Sequence, residues 1–288
     1  MKIEIRSVVE GNILFSHSDP HNTMEKTIAV ARQANVSLAG ADLRSQDLRG
    51  INFSGMDLTG ACLAHANLDI THCDGARFDC ADLEKAMGGG ASFKGASMVN
   101  ASLRDAQLLS CDFIDAKIRR ADCLRLNLHG SDLSGASLDG STLTDAVITG
   151  TILLGTYLGD IDLRLCDLSP IRDDLFGLLA AAPAAVPRLC TFLREGYLRG
   201  YQMVEGDQYG MLSKYLMGNP VSNTARNFRK DTHRPAELFA VAIVDGDIPA
   251  ENQVSAILVE WIEEWLYRTG MASKASAFDV GPYSGSVQ

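Results

Sequence analysis

Between Val36 and Pro170 the chain divides into 27 consecutive five-residue blocks without one insertion or deletion; ADLRS, ANLDI and ADLEK are representative. The third position is Leu in 17 blocks and Phe in four, with Met98, Ile118, Ile148, Cys73, Cys123 and Gly88 completing the set. The first position is Ala, Ser, Thr or Cys in 21 blocks, the second is often Asp or Asn, and the fifth is Gly in 12. A period of five suits neither a helix nor a simple strand. One large and one small apolar residue, two apart, point the same way from extended backbone, and the other three positions face solvent. Glycine at the fifth position allows a corner with positive φ. A corner every five residues predicts a four-sided coil of 20 residues per circuit. Its circuits stack about 4.8 Å apart, giving a rod roughly 32 Å long.

The frame resolves an ambiguous motif. The stretch GASFKGAS, residues 90–97, keeps both glycines and the final serine of the phosphate-binding pattern G-x-x-x-x-G-K-[ST], but Ala96 replaces the lysine and Lys94 comes two residues early. Gly90 and Gly95 are both fifth positions, so the repeat sets their spacing. A phosphate loop also needs a strand before it and a helix after it, and the repeat supplies neither. Gly88, Gly89 and Gly90 form one degenerate block, a candidate dent or bulge in the wall.

These blocks resemble the pentapeptide-repeat family, whose motif is A-[DN]-L-x-x. The resemblance covers about 135 of the 288 residues and implies a mainly-β fold, a right-handed quadrilateral parallel β-helix. Solenoid ends need covering. Residues 1–35 are expected to form an N-terminal cap, with two short strands around Glu10-Gly11 and a helix from Met24 to about Ala34. Residues 171–288 differ in composition and are expected to form a C-terminal α+β domain with a loose tail. Its expected elements are a helix over Leu175–Leu179, a second over Leu189–Glu195, a buried strand over Glu237–Val244 and a long helix from Pro249 to about Thr269. The layout also resembles phage-borne members of the family, which suggests a viral or prophage origin.

Seven cysteines without a C-x-x-C pair suit reduced thiols; Cys73, Cys111, Cys123 and Cys166 take inward repeat positions. No apolar run reaches the roughly 18 residues that span a bilayer, and the N-terminus lacks a signal-peptide core, so a cytoplasmic location and no membrane partner are expected. The net charge of −10 argues against direct nucleic-acid binding. The six histidines form no H-E-x-x-H pair; His17 and His21 are read as solvated loop residues, and no metal or other cofactor is expected. Cys190, between Arg188 and Arg194, lies at core spacing and is read as buried. An enzyme would have to use the tail around Arg229, His233 and Cys190, and a non-enzymatic role is preferred.

Acidity is the sharpest lead. Residues 36–170 carry 18 Asp/Glu against 11 Lys/Arg. With 20 residues per circuit, Asp42, Asp82, Asp122 and Asp162 fall in one column, interrupted by Arg44, Arg104, Arg125 and Arg164 on the same face, while Asp112 and Asp132 are adjacent in another. Some pentapeptide-repeat proteins are DNA mimics that bind the DNA saddle of bacterial gyrase. The resemblance thus implies a protein-binding module whose acidic rod antagonises a DNA-handling enzyme, gyrase-like or a defence nuclease, through these six carboxylates. B-DNA would carry roughly 19 charges over this length, against a net of seven here, and position two also favours Asp and Asn for turn chemistry alone. Arg226, Arg229, Lys230 and Arg234 are an alternative C-terminal contact for a phosphate or acidic partner. The competing expectation is a structural protein that uses the coil as a spacer and homodimerises through its C-terminal domain.

Overall fold

The computed structural model describes residues 1–159, 161–195, 212, 216, 235–240 and 252–271. The chain divides into two units, Met1–Leu168 and Ser169–Gln288.

The first unit starts with an antiparallel hairpin of β1 (Lys2–Arg6) and β2 (Ile13–Ser18), followed by α1 (Met24–Gln33). Thr23 caps α1 by accepting the Lys26 N–H. The hairpin continues onto the coil: the Asp42 N–H donates to the Arg6 carbonyl at 2.8 Å, and Val8 donates to Gly40 at 2.8 Å.

From there, single parallel bridges join second-position residues to those 20 later, from Asp42 to Asp167. They form four ladders. One runs Asp42–Cys62–Asp82–Ser102–Asp122–Thr142 and a second Asp47–Asn67–Met87–Gln107–Asn127–Val147–Asp167. A third runs Asn52–His72–Ser92–Asp112–Asp132–Ile152, and the last Asp57–Arg77–Ser97–Lys117–Ser137–Tyr157. Each bridge is held from both sides, as where Cys62 donates to Ala41 and Leu43 donates to Cys62 (2.9 and 2.8 Å). Isolated bridges and not long strands arise because the chain turns after every five residues. The fifth positions from Gly40 to Gly155 all have positive φ, whether glycine or not.

The interior is packed mainly with apolar side chains. Third-position Leu and Phe side chains such as Leu43, Phe53 and Leu63 are fully buried, with first-position alanines beside them. Phe93 and Phe113 stack on successive circuits at 5.0 Å. The Gly88 block does not dent the wall. Its ladder continues from Met87 to Gln107, and Leu108 fills the space where a Gly88 side chain would stand, 2.7 Å from its Cβ position.

The described residues of the second unit are helical. They form α2 (Ser169–Ala181), α3 (Val186–Arg194), α4 (Pro235–Ala240) and α5 (Gln253–Arg268). α3 packs on α5, and α2 packs on α4 and α5. The strand expected over residues 237–244 is corrected. Residues 237–240 are helical, Pro235 opens the helix where its missing N–H costs nothing, and Ala236, Phe239 and Ala240 are buried at helical spacing. Residues 241–244 lie outside the described residues. α3 begins three residues before the expected Leu189, and α5 begins at Gln253 because Asn252 accepts the Ser255 N–H and fixes its start.

Candidate functional site

The four ladders sort the surface charges by side. The side of the Asp42 ladder holds Asp42, Asp82, Glu84, Asp105, Asp122, Asp145 and Asp162 together with five basic residues. All five bases are paired within that side. Arg44 binds Asp42 with two hydrogen bonds of 2.8 and 2.7 Å, Arg104 reaches Asp122 on the next circuit at 2.7 Å, and Arg125 grips Asp105 at 2.6 Å. Lys85 pairs with Glu84 and Arg164 with Asp162, at 3.0 and 3.9 Å. The Arg44 contact holds the Asp42 carboxyl below the usual carboxylate range, and Arg125 does the same for Asp105. At Asp122 partial burial opposes ionisation, and bonds from Arg104, the Leu124 N–H and Thr142 outweigh it and hold the pKa low.

Each of the six carboxylates singled out by sequence also has a local task. A second-position side-chain oxygen accepts the N–H two residues on, which fixes the turn. This bond is made by Asp42 to Arg44 (3.3 Å), Asp82 to Glu84 (3.0 Å), Asp112 to Ile114 (3.1 Å), Asp122 to Leu124 (3.2 Å), Asp132 to Ser134 (2.9 Å) and Asp162 to Arg164 (2.9 Å). Where the second position does not accept, the previous circuit does: Asp69 takes the Gly89 N–H at 2.7 Å, and Asp79 takes the Val99 N–H at 3.0 Å together with the Ser97 hydroxyl. At the end of its column the Asp162 side chain also caps the one-turn 3-10 helix Leu163–Leu165.

The side of the Asn52 ladder is different. It holds Asp74, Asp112, Asp115 and Asp132 against a single base, Lys94, which binds Asp112 at 2.9 Å. The lysine that resembled a phosphate-loop residue is therefore an ion-pair partner across circuits. Asp112 and Asp132 of this side are legible in the sequence as neighbours in one column; Asp74 and Asp115, at the fourth and fifth positions of their blocks, join them once every charge is sorted by its place in the 20-residue circuit. Among the described residues the side of the Asp57 ladder holds three acids, Asp57, Asp79 and Asp139, and four bases.

Cys190 is buried on α3. Burial pushes its thiol up and Arg194 opposes this, so the site lacks the exposed, electropositive setting of a reactive thiolate. Arg226, Arg229, Lys230, His233 and Arg234 lie outside the described residues.

The model of pentapeptide repeats matches residues 37–69, 89–122 and 127–169, in eight copies. Curated proteins give no match. Similar solved structures include QnrB1, a plasmid-mediated fluoroquinolone resistance protein, at 19% identity and TM-score 0.25, covering 41% of this chain and 75% of that one. Rfr23 from the cyanobacterium Cyanothece 51142 is 20% identical with TM-score 0.29, covering 50% and 94%. The protein alr5209 from Nostoc PCC 7120 is 24% identical with TM-score 0.27, covering 40% and 84%. With 20-residue circuits, four ladders and a matching family model, the coil of this chain belongs to the pentapeptide-repeat family.

Proposed function

We propose that this is a non-enzymatic protein-binding module whose rigid coil, right-handed as in its family, presents the side of the Asn52 ladder to a basic surface on a protein partner. The supporting observation is the distribution of charge. Bases on the Asp42 side are all engaged by acids, whereas the Asn52 side has four acids and one base. Asp112 and Asp132 remain in the binding face, joined by Asp74 and Asp115. Asp42, Asp82, Asp122 and Asp162 contribute turn geometry and a weaker field. The filled interior supports a scaffold role in preference to catalysis.

A partner that ordinarily holds DNA, such as a gyrase-like enzyme or a defence nuclease of a bacterial cytoplasm, has the complementary groove. The four acids span three rung spacings, about 14 Å. B-DNA carries about eight charges over that distance, and this side a net of three. The match is to part of a phosphate track, sufficient for steering and registration.

Asp→Asn substitution is the suitable probe, because it removes charge and keeps the turn acceptor. Tagged protein is incubated with DNase-treated bacterial lysate. Capture by the unaltered chain, its loss in D74N/D112N/D115N/D132N and its retention in D42N/D82N/D122N/D162N support the reading. Equal capture by both variants refutes it.

A further inference from the structure

The side of the Asp47 ladder has a property that no other side shares. Four successive rungs, residues 86–90, 106–110, 126–130 and 146–150, contain no Asp, Glu, Lys or Arg. The outward residues there are Met87, Gln107, Asn127 and Val147, with Leu109 and His129 beside them and Gly90, Gly130 and Gly150 carrying no side chain. Met87 is 47% exposed, and Ile70, at the edge of this stretch, is 62% exposed. Depletion of charge together with exposed Met and aliphatic side chains marks the centre of protein interfaces.

We infer that this side is a self-association surface, and that its occupant is the same side of a second copy of the chain. Electrostatics selects the occupant. The chain carries a net charge of −10, so contact between two copies is opposed by like charge over most of the coil, most strongly on the Asn52 side. The four charge-free rungs let two copies meet with carboxylates only at the ends of the strip, where Asp69, which reaches onto the first rung through the Gly89 N–H, falls opposite Asp167 of the second copy and weakens the contact. An antiparallel two-fold arrangement centred between the rungs of Gln107 and Asn127 matches the surfaces residue by residue. Met87 then opposes Val147 of the second copy, an apolar pair, and Gln107 opposes Asn127, a pair of amides. Gly90 opposes Gly150, so the backbones can approach closely there. Within one chain the Asn127 amide already donates to the Gln107 oxygen at 3.0 Å, which holds both side chains in place for that contact.

Size sets the strength. Four rungs extend roughly 19 Å, a strip well short of the roughly 800 Å² per partner of a stable interface. The association is therefore weak and appears as concentration is raised through the micromolar range and above.

The test uses the full chain with Cys80, the exposed thiol, replaced by Ser. Sedimentation equilibrium should show the average mass rising from 31.0 kDa toward twice that value with concentration. Gln107→Glu with Asn127→Asp, which keeps the turn acceptor at 127, should weaken association at least tenfold with an unchanged circular dichroism spectrum. Met87→Cys mixed with Val147→Cys should form a disulfide-linked dimer under mild oxidation, while either variant alone should not. A mass fixed at 31.0 kDa up to millimolar concentration overturns the inference. So does association that survives the charge pair, or that gives no cross-link between positions 87 and 147.

Discussion

Asp112 and Asp132 occupy successive rungs of one ladder, and Lys94 neutralises the first at 2.9 Å. Among the described residues no cation pairs with Asp132, yet it is not idle: it accepts the N–H of Ser134 at 2.9 Å and its hydroxyl at 2.6 Å. Charge and turn geometry can therefore be separated by substitution. Asp132→Asn should change stability by less than about 0.5 kcal/mol, and Asp132→Ala should cost about 1 kcal/mol, the net worth of a hydrogen bond. Urea denaturation of the two variants measures both. Equal loss in both would mean that the charge, and not the acceptor, holds the turn.

Ile70 is the one β-branched residue with positive φ among the described residues, at +52°. Its side chain is mostly exposed, so little burial offsets the strain. Left-handed backbone costs an L-residue about 1–2 kcal/mol, and glycine returns part of that gain as chain entropy, about 0.5–1 kcal/mol. Ile70→Gly should stabilise the coil by about 1 kcal/mol, read as a higher denaturation midpoint. A lower midpoint would show that Ile70 contributes packing greater than its strain.

The coil was legible in the sequence because its rules are local. The two-apart apolar pair, the small first position and the fifth-position corner are all written within one block, and the corner holds even where Ser45, Lys85 or Arg125 replaces glycine. Pairing of charges was less legible. Arg104 and Asp122 are 18 residues apart and Arg125 and Asp105 are 20 apart, so their contacts depend on side-chain conformers across stacked circuits. The apolar run ELFAVAIV had no such frame. Its composition suits a buried strand or a buried helix equally, and tertiary packing of Phe239 on Trp261 accompanies the helical form of residues 235–240.

Acid should weaken the fold in a defined direction. Asp42, Asp47 and Asp105 have folded pKa values held below the ordinary range by Arg44, Arg49 and Arg125. Unfolded aspartate titrates near 3.9. The folded form thus binds fewer protons, and the stabilisation is present above about pH 4 and is lost as pH falls through the lower folded values. These pairs are exposed, so the loss should be shallow and smaller at 1 M salt. Denaturation midpoints measured from pH 7 to pH 2 check this; stability that rises on acidification would contradict it.

The thiols divide cleanly. Burial pushes Cys73, Cys111 and Cys166 up to about 12 and raises Cys123 further, while Cys80 stands exposed at a corner. A thiol-reactive chromophore at pH 8 should label one cysteine promptly and the other six only after denaturation, and Cys80→Ser should abolish the prompt phase. Prompt labelling of Cys190 would reopen a reactive role for the second unit.

The binding account is tested most directly by competition. A DNA-binding partner captured on the coil is loaded with labelled duplex DNA, and the chain is titrated in. The unaltered protein and D42N/D82N/D122N/D162N should displace the DNA, and D74N/D112N/D115N/D132N should need about tenfold more protein or worse, given the loss of four complementary charges. Equal displacement by both variants, or none by the unaltered protein, would contradict the assignment of the acidic Asn52 side as the binding face.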